Sequence, residues 1–215
     1  MSDDLWSEEH RAMEFGADGI RGIVGKWPLV PEGAQTLGVT LGRFLRKRAE
    51  HPVVVLGRDT RPSGIFLSEG LESGMSQEGV DVIDLGVMTT PGIAYLTRRL
   101  QANLGVIVSA SHNPSQYNGI KLVGQNGLRL QREEEIEIEM LCAHTAVTEV
   151  LARMGSGQQA DASHLIEMYI GDHVRCCPAE SLAGLRLVLD CANGAAGRVA
   201  PTAFARLGAD VITIN

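Results

Sequence analysis

Leu104-Gly105-Val106-Ile107-Val108-Ser109-Ala110-Ser111-His112-Asn113-Pro114 reads as a short apolar strand that stops at a polar loop. An unbroken apolar run, without alternation, fits a strand covered on both faces in a largely parallel sheet. The loop then lies at the strand's C-terminal end, which is where open α/β sheets bind ligands. Ser111 offers an oxygen and His112 a titratable imidazole, while Lys121 adds a positive charge from Asn118-Gly119-Ile120-Lys121, read as closing the same loop. An oxygen to carry a phosphoryl group, a partner for its proton and a cation to offset its charge make phosphoryl transfer the working expectation.

Outward from this stretch, helical and strand periods alternate. Leu37, Leu41, Phe44 and Leu45 fall at helical spacing between Pro31 and Ala49, with Pro31 suited to a first turn and Arg46, Lys47 and Arg48 to the negative end of the dipole. Val53 to Leu56 reads as a buried strand, Gly64 to Gln77 as a helix, Val80 to Asp84 as a strand and Thr90 to Leu100 as a helix. This order predicts an α/β fold with a mostly parallel mixed sheet and helices on both faces. A Gly, Gln, Ala and Ser-rich stretch at 155–163 reads as a linker, which divides the chain into a first domain at 1–154 and the start of a second, similar α/β domain at 164–215. The second unit reads as a helix from His164 to Arg175, a strand from Arg186 to Asp190, a helix from Gly194 to Leu207 and a strand from Asp210 to Ile214. One βαβ unit cannot bury its own faces, so this domain is expected to be truncated.

With 215 residues, 44% of them hydrophobic, the chain has enough apolar surface for a packed core. A net charge of −7 argues against a phosphate-backbone binder, so nucleic acid is not an expected partner. No run approaches a membrane span and the N-terminus lacks the pattern of a secretory signal, so no membrane partner and a cytoplasmic location are expected. Cys142, Cys176, Cys177 and Cys191 form no C-x-x-C pair and read as reduced packing residues. Glu133, Glu134, Glu135, Glu137 and Glu139 crowd a helical stretch from Arg132 to Met140, and a solvated helix face is the expectation there rather than a metal cluster.

Four polar, glycine-rich segments stand out: Phe15 to Gly22, Gly57 to Gly64, the Ser111 loop, and Asp190 to Gly197. Three directly follow apolar strands, where glycine lets backbone N–H groups approach an anion. Together with Thr90 to Arg98 and Val188 to Ala196, in this order and spacing, they resemble the α-D-phosphohexomutase superfamily, most closely its phosphoglucosamine mutase branch. Ala17 stands where that branch usually has threonine, and Val123 and Ser115-Gln116-Tyr117 depart from its more aromatic pattern. The likeness runs from about Glu14 to Asn215 and concerns the N-terminal portion of such a protein.

The resemblance implies that Ser111 is the phosphorylated serine of a mutase that moves phosphate between the 1- and 6-positions of a hexosamine, with glucosamine 1,6-bisphosphate as intermediate. It implies His112, Lys121 and Arg21 as catalytic groups, Asn113 and Gly119 as loop residues, and one Mg2+ held in part by the Ser111 phosphate. The expected partner is a small-molecule phosphosugar, and the full-length protein is expected as a monomer or homodimer. His112 is read either as a proton carrier or as a backbone hydrogen-bonding group, and Arg21 either as a substrate cation or as a structural partner of Asp18 or Asp59. Arg58, Asp59 and Arg61 read as a network bracing the loops. The family's aspartate-rich metal loop has no D-x-D-x-D counterpart in the sequence, so the expectation is an N-terminal fragment, inactive alone. A phosphoglucomutase or phosphomannomutase of the same superfamily, and a non-catalytic phosphosugar-binding paralogue, are the competing readings. A nucleotide-binding domain is disfavoured by the lack of G-x-x-x-x-G-K-[ST].

Overall fold

The computed structural model describes residues 13–145 and 162–215, so the linker expected at 155–163 lies almost wholly outside the described residues. A five-stranded sheet forms from β1 (Ile20–Ile23), β2 (Val53–Arg58), β3 (Asp81–Val87), β4 (Leu104–Val108) and β5 (Tyr117–Gly124), in the order β1-β5-β4-β2-β3. β2 pairs in parallel with β3 and β4, whereas β5 runs antiparallel to both β4 and β1. Only β5 opposes the common direction, as expected of a mostly parallel mixed sheet.

Side chains alternate across the sheet and build two cores. Val54, Leu56, Val106, Val108, Ile120 and Leu122 face one layer, covered by α1 (Pro31–Arg46), α2 (Ser63–Gln77) and α4 (Arg132–Ala143). Val55, Leu85 and Ile107 face the other, covered by Ile93 and Leu96 of α3 (Thr90–Arg99) and by Leu165, Ile166 and Ile170 of α5 (Ser163–Arg175). α5, placed by its sequence with the second unit, thus shares a core with the first sheet. Tyr95 donates its hydroxyl to Asp172 across the α3–α5 seam. That bond, with Arg175 and Arg99 nearby, holds the Asp172 carboxyl below its usual range.

Several boundaries differ from the sequence reading for local reasons. α1 ends at Arg46, and the Arg48 guanidinium folds back onto the Phe44 carbonyl at 3.0 Å and over its ring at 3.8 Å, closing the helix. β3 continues to Val87 across a register shift opposite Leu56 and Arg58, with Gly86 at φ +64°. Asn118 to Lys121 form part of β5 rather than loop, and Ile20–Ile23 is a strand that its short, glycine-broken sequence did not announce. The last helix splits into a 3-10 turn, Ala195–Arg198, and α6, Ala200–Arg206, with Pro201 in the first turn of the second piece.

The acidic run on α4 corrects the expectation of a solvated face. Glu135 is 3% exposed. It takes both Arg129 Nε at 2.9 Å and Arg132 at 3.4 Å. Glu139 accepts from the Phe15 amide at 2.7 Å and from Arg132, and Glu137 pairs with Arg48 and Lys47. The carboxylates therefore tie the N-terminal segment and α1 to α4. Cys142 is buried as expected, which pushes its thiol up to about 11, but Cys176 and Cys177 are exposed and are not packing residues.

β6 (Arg186–Asp190) and β7 (Asp210–Ile214) pair in parallel as a separate two-stranded sheet. Val188, Ile212 and Ile214 remain 44–61% exposed on it.

α1 and α2 cross so closely that glycine is required. A Cβ at Gly38 would meet the Leu71 carbonyl oxygen at 2.3 Å, and one at Gly74 would meet the Gln35 oxygen at 2.3 Å. Both obstacles are backbone, so Gly74→Ala must push the helices apart. The expected outcome is a loss of about 1–3 kcal/mol in urea unfolding, while Gly79→Ala, where no atom lies within 4 Å of the added carbon but φ is +74°, costs less.

Candidate functional site

The loop after β4 is positioned by two residues from the loop after β2. Asp59 Oδ2 accepts from Ser109 Oγ at 2.7 Å and from Arg61 Nε at 3.1 Å, and its Oδ1 accepts the Arg61 amide at 3.0 Å. Arg61 then donates to four backbone carbonyls of the Ser111 loop: Ser111 at 2.9 Å, Asn113 at 2.6 Å, Pro114 at 2.9 Å and Tyr117 at 3.1 Å. These oxygens converge on one planar fork of donors, which no other side chain could serve together. The bracing role expected of Asp59 and Arg61 is the observed one, and its target is the loop itself.

Ser109 Oγ also receives the Ser111 amide at 3.0 Å, so Asp59, Ser109 and Ser111 form one hydrogen-bonded chain. It holds Ser111 at φ +57°, a left-handed conformation that an L-residue adopts at a cost and that is typical of functional loops. The Ser111 side chain is exposed, and His112 Nδ1 stands 3.4 Å from its Oγ. The sheet side is fixed by Asn118, fully buried, which donates to Ser63 Oγ at 2.8 Å and accepts from the Gly119 amide at 2.8 Å.

A cavity of about 560 Å3 opens here, walled by Asp59 to Arg61, Met88 to Pro91, Ser109, Ser111 to Asn113, and Cys191, Ala192, Gly194 and Ala195 of the second sheet's loop. Thr60 Oγ1 donates to the Asn193 carbonyl at 2.7 Å, and Arg198 reaches the Val87 carbonyl at 3.3 Å, so both sheets contribute to one wall. Three of the four glycine-rich segments meet at this place. The Met88 to Thr89 contribution was not foreseen, although Thr89, which caps α3 by accepting from the Gly92 amide at 3.2 Å, follows β3 just as Asp59 follows β2.

Ser111, His112 and Asn113 lie together on the cavity wall, and Lys121, Arg21 and Gly119 do not. Lys121 sits within β5 opposite Ile107. Arg21 sits in β1 opposite Gly119, its guanidinium 3.4 Å from Asp18 and its Nε buried without a hydrogen-bond partner. Asp59, the other structural partner considered for Arg21, belongs to Arg61. Gly119 is wedged between strands, where a Cβ would meet the Ile20 carbonyl oxygen at 2.7 Å.

A magnesium ion requires about six oxygens in near-octahedral array, normally with one or two carboxylates. Among the described residues no three His, Cys, Asp or Glu side chains gather as ligands. Asp59, the carboxylate on the wall, has both oxygens hydrogen-bonded. The donor set present does not fit Mg2+, and no step below runs through it.

A family model described as phosphoglucomutase/phosphomannomutase, alpha/beta/alpha domain I, matches residues 12–148. The phosphoglucosamine mutase of Deinococcus radiodurans is 41% identical over 203 residues, covering 93% of this chain and 45% of that protein. The phosphoglucosamine mutase of Allorhizobium ampelinum is 45% identical over 202 residues, covering 94% and 45% respectively. The crystal structure of a phosphoglucomutase/phosphomannomutase family protein from Burkholderia thailandensis superposes with a TM-score of 0.70 at 26% identity, covering 98% of this chain and 44% of that one. The chain therefore spans a little under half the length of the relatives it matches.

Arg61→Ala strips four carbonyls of their donor and leaves Asp59 without its cation. Amide exchange at Ser111 and Asn113 is expected to accelerate at least about tenfold, with a global loss of about 1–3 kcal/mol. Arg61→Lys, lacking the fork, recovers only part of the protection.

Proposed function

This chain belongs to the phosphoglucomutase/phosphomannomutase family, and from that premise we propose that it carries the phosphate-relay serine of a phosphosugar mutase acting between glucosamine 6-phosphate and glucosamine 1-phosphate. The observation that carries this reading is Ser111, held at φ +57° by the Asp59–Ser109 chain and presented to an open cavity beside His112.

In the phosphorylated form, a sugar hydroxyl attacks phosphorus and gives up its proton to solvent, the new sugar O–P bond forms and the bond from phosphorus to Ser111 Oγ breaks. The departing Oγ needs a proton, and His112 Nδ1, 3.4 Å away, is positioned to donate it and to take it back when Ser111 attacks the bisphosphate. Asn113 holds the loop through its amide, which donates to the Ala110 carbonyl at 3.1 Å. Lys121 and Arg21 retain a charge-balancing assignment on the resemblance of their motifs, acting from β5 and β1 rather than from the wall. Mg2+ belongs to the proposal only for a full-length mutase, where carboxylates other than those of this 215-residue chain would join the Ser111 phosphate; the chain alone, whose described residues do not fit the ion, is proposed to be inactive. The amino-sugar substrate follows the names of the relatives, and we further propose a cytoplasmic enzyme of cell-wall precursor synthesis.

In the full-length protein incubated with glucosamine 1,6-bisphosphate, peptide mapping is expected to find the acquired phosphate on Ser111. Phosphate on any other residue overturns the assignment. Lys121→Ala is expected to slow mutase turnover on the order of a hundredfold with an unchanged unfolding midpoint, since its charge is asked to act in the transition state; an unchanged rate removes Lys121 from the site.

A further inference from the structure

At the opposite end of the central sheet from the Ser111 loop, where β4 begins at Leu104 and β5 ends at Gly124, lies a larger cavity of about 790 Å3. A second hollow of about 580 Å3 adjoins it, and the two share Arg98 and Gln101 at the end of α3. The volume suits a small metabolite.

Its walls are rich in unused donors. The Arg98 guanidinium is exposed and makes no hydrogen bond or ion pair among the described residues. Asn103 Oδ1 accepts the Val53 amide at 2.9 Å, and Asn126 Oδ1 accepts the Leu128 amide at 2.9 Å. The Gln131 backbone carbonyl accepts the Glu134 amide at 3.1 Å at the start of α4, and its side chain also lines the cavity. In Asn103 and Asn126 the side-chain oxygen is engaged and the NH2 group has no partner among the described residues. The other two arginines on the wall, Arg48 and Arg129, pair with Glu137 and Glu135, and the one wall carboxylate, Glu134, accepts the Gln131 amide at 3.0 Å and has no cation partner among the described residues. The chain carries a net −7, yet the lining of this concavity holds three arginines against one carboxylate, with side-chain amides between them.

We propose that this cavity is a second binding site, separate from the Ser111 cavity, for a small metabolite bearing a phosphate group. A phosphate offers several acceptor oxygens in tetrahedral array, which matches a wall of arginines and side-chain amides with the Arg98 guanidinium unpaired. A metal cation would meet three arginines, and a neutral sugar would leave the Arg98 charge unanswered. The site lies at the far end of β4 and β5, the strands that carry the Ser111 loop between them, so its occupancy bears on the same pair of strands.

The test is a titration of this chain with sodium phosphate at constant ionic strength, followed by the side-chain amide and guanidinium NMR signals. Saturable shifts are expected at Arg98, Asn103, Asn126 and Gln131. Arg98→Gln is expected to weaken that binding at least tenfold, and Asn126→Asp, which keeps the acceptor for Leu128 but replaces the free donor with a negative charge, to weaken it similarly. Arg206→Gln, remote on α6, should leave it unchanged. Shifts confined to residues 109–117, a non-saturating response at the four signals, or equal affinity in Arg98→Gln and the parent chain would overturn the proposal. None of these outcomes bears on phosphate acquisition at Ser111.

Discussion

The Asp59–Arg61 pair is the interaction on which the functional end of the molecule depends. The loop that follows β4 turns its carbonyl oxygens inward, and backbone acceptors without donors would make the conformation costly. One guanidinium, itself fixed by the carboxylate two residues earlier, answers four of them. The same carboxylate reaches Ser109, whose hydroxyl receives the Ser111 amide. A strained serine is thereby supported from below by a network that sits on the neighbouring parallel strand, and the strain does not have to be met by the loop alone.

That support works only because the strands are in register. β2 and β4 are parallel neighbours that both end at this edge, so Asp59 follows Arg58 directly onto the Val108 carbonyl, to which its amide donates at 3.0 Å. β5 returns antiparallel beside β4 and lies against β1 through Gly119, where a Cβ would meet the Ile20 carbonyl oxygen at 2.7 Å. The two-sided core explains why the sheet can present its loops so rigidly: α1 and α2 cover one face, α3 and α5 the other, and their glycine-mediated contact leaves little room for relative motion.

Charge was harder to place from sequence than shape. A run of five glutamates on one helix suggested a solvated surface, but Arg48 and the Phe15 amide, far away in the chain, and Arg129, just ahead of the helix, converge on it. Burial of Glu135 is tolerable because two guanidinium groups accompany it. Lys121 shows the converse. Ten residues after Ser111, it reads as part of the loop, yet it lies inside β5, where it pairs opposite Ile107, one residue before β4 ends and the Ser111 loop begins.

The strand at Leu104 to Val108, the loop at its end, the alternation of helices and strands, and the family were all legible in the residues. Each rests on a local signal: apolar runs, glycine where backbone must turn, and motifs whose order is fixed by the chain. The place of Ser111 on that loop and the bracing role of Asp59 and Arg61 were legible for the same reason. Which carbonyls Arg61 serves, the wall contributed by Met88 to Pro91, the strand identity of β1 and β5, and the ion pairs of α4 were decided only by tertiary structure. These depend on contacts between residues up to more than a hundred positions apart, and such pairings are set by which strands become neighbours, a choice made by global packing that no local pattern encodes.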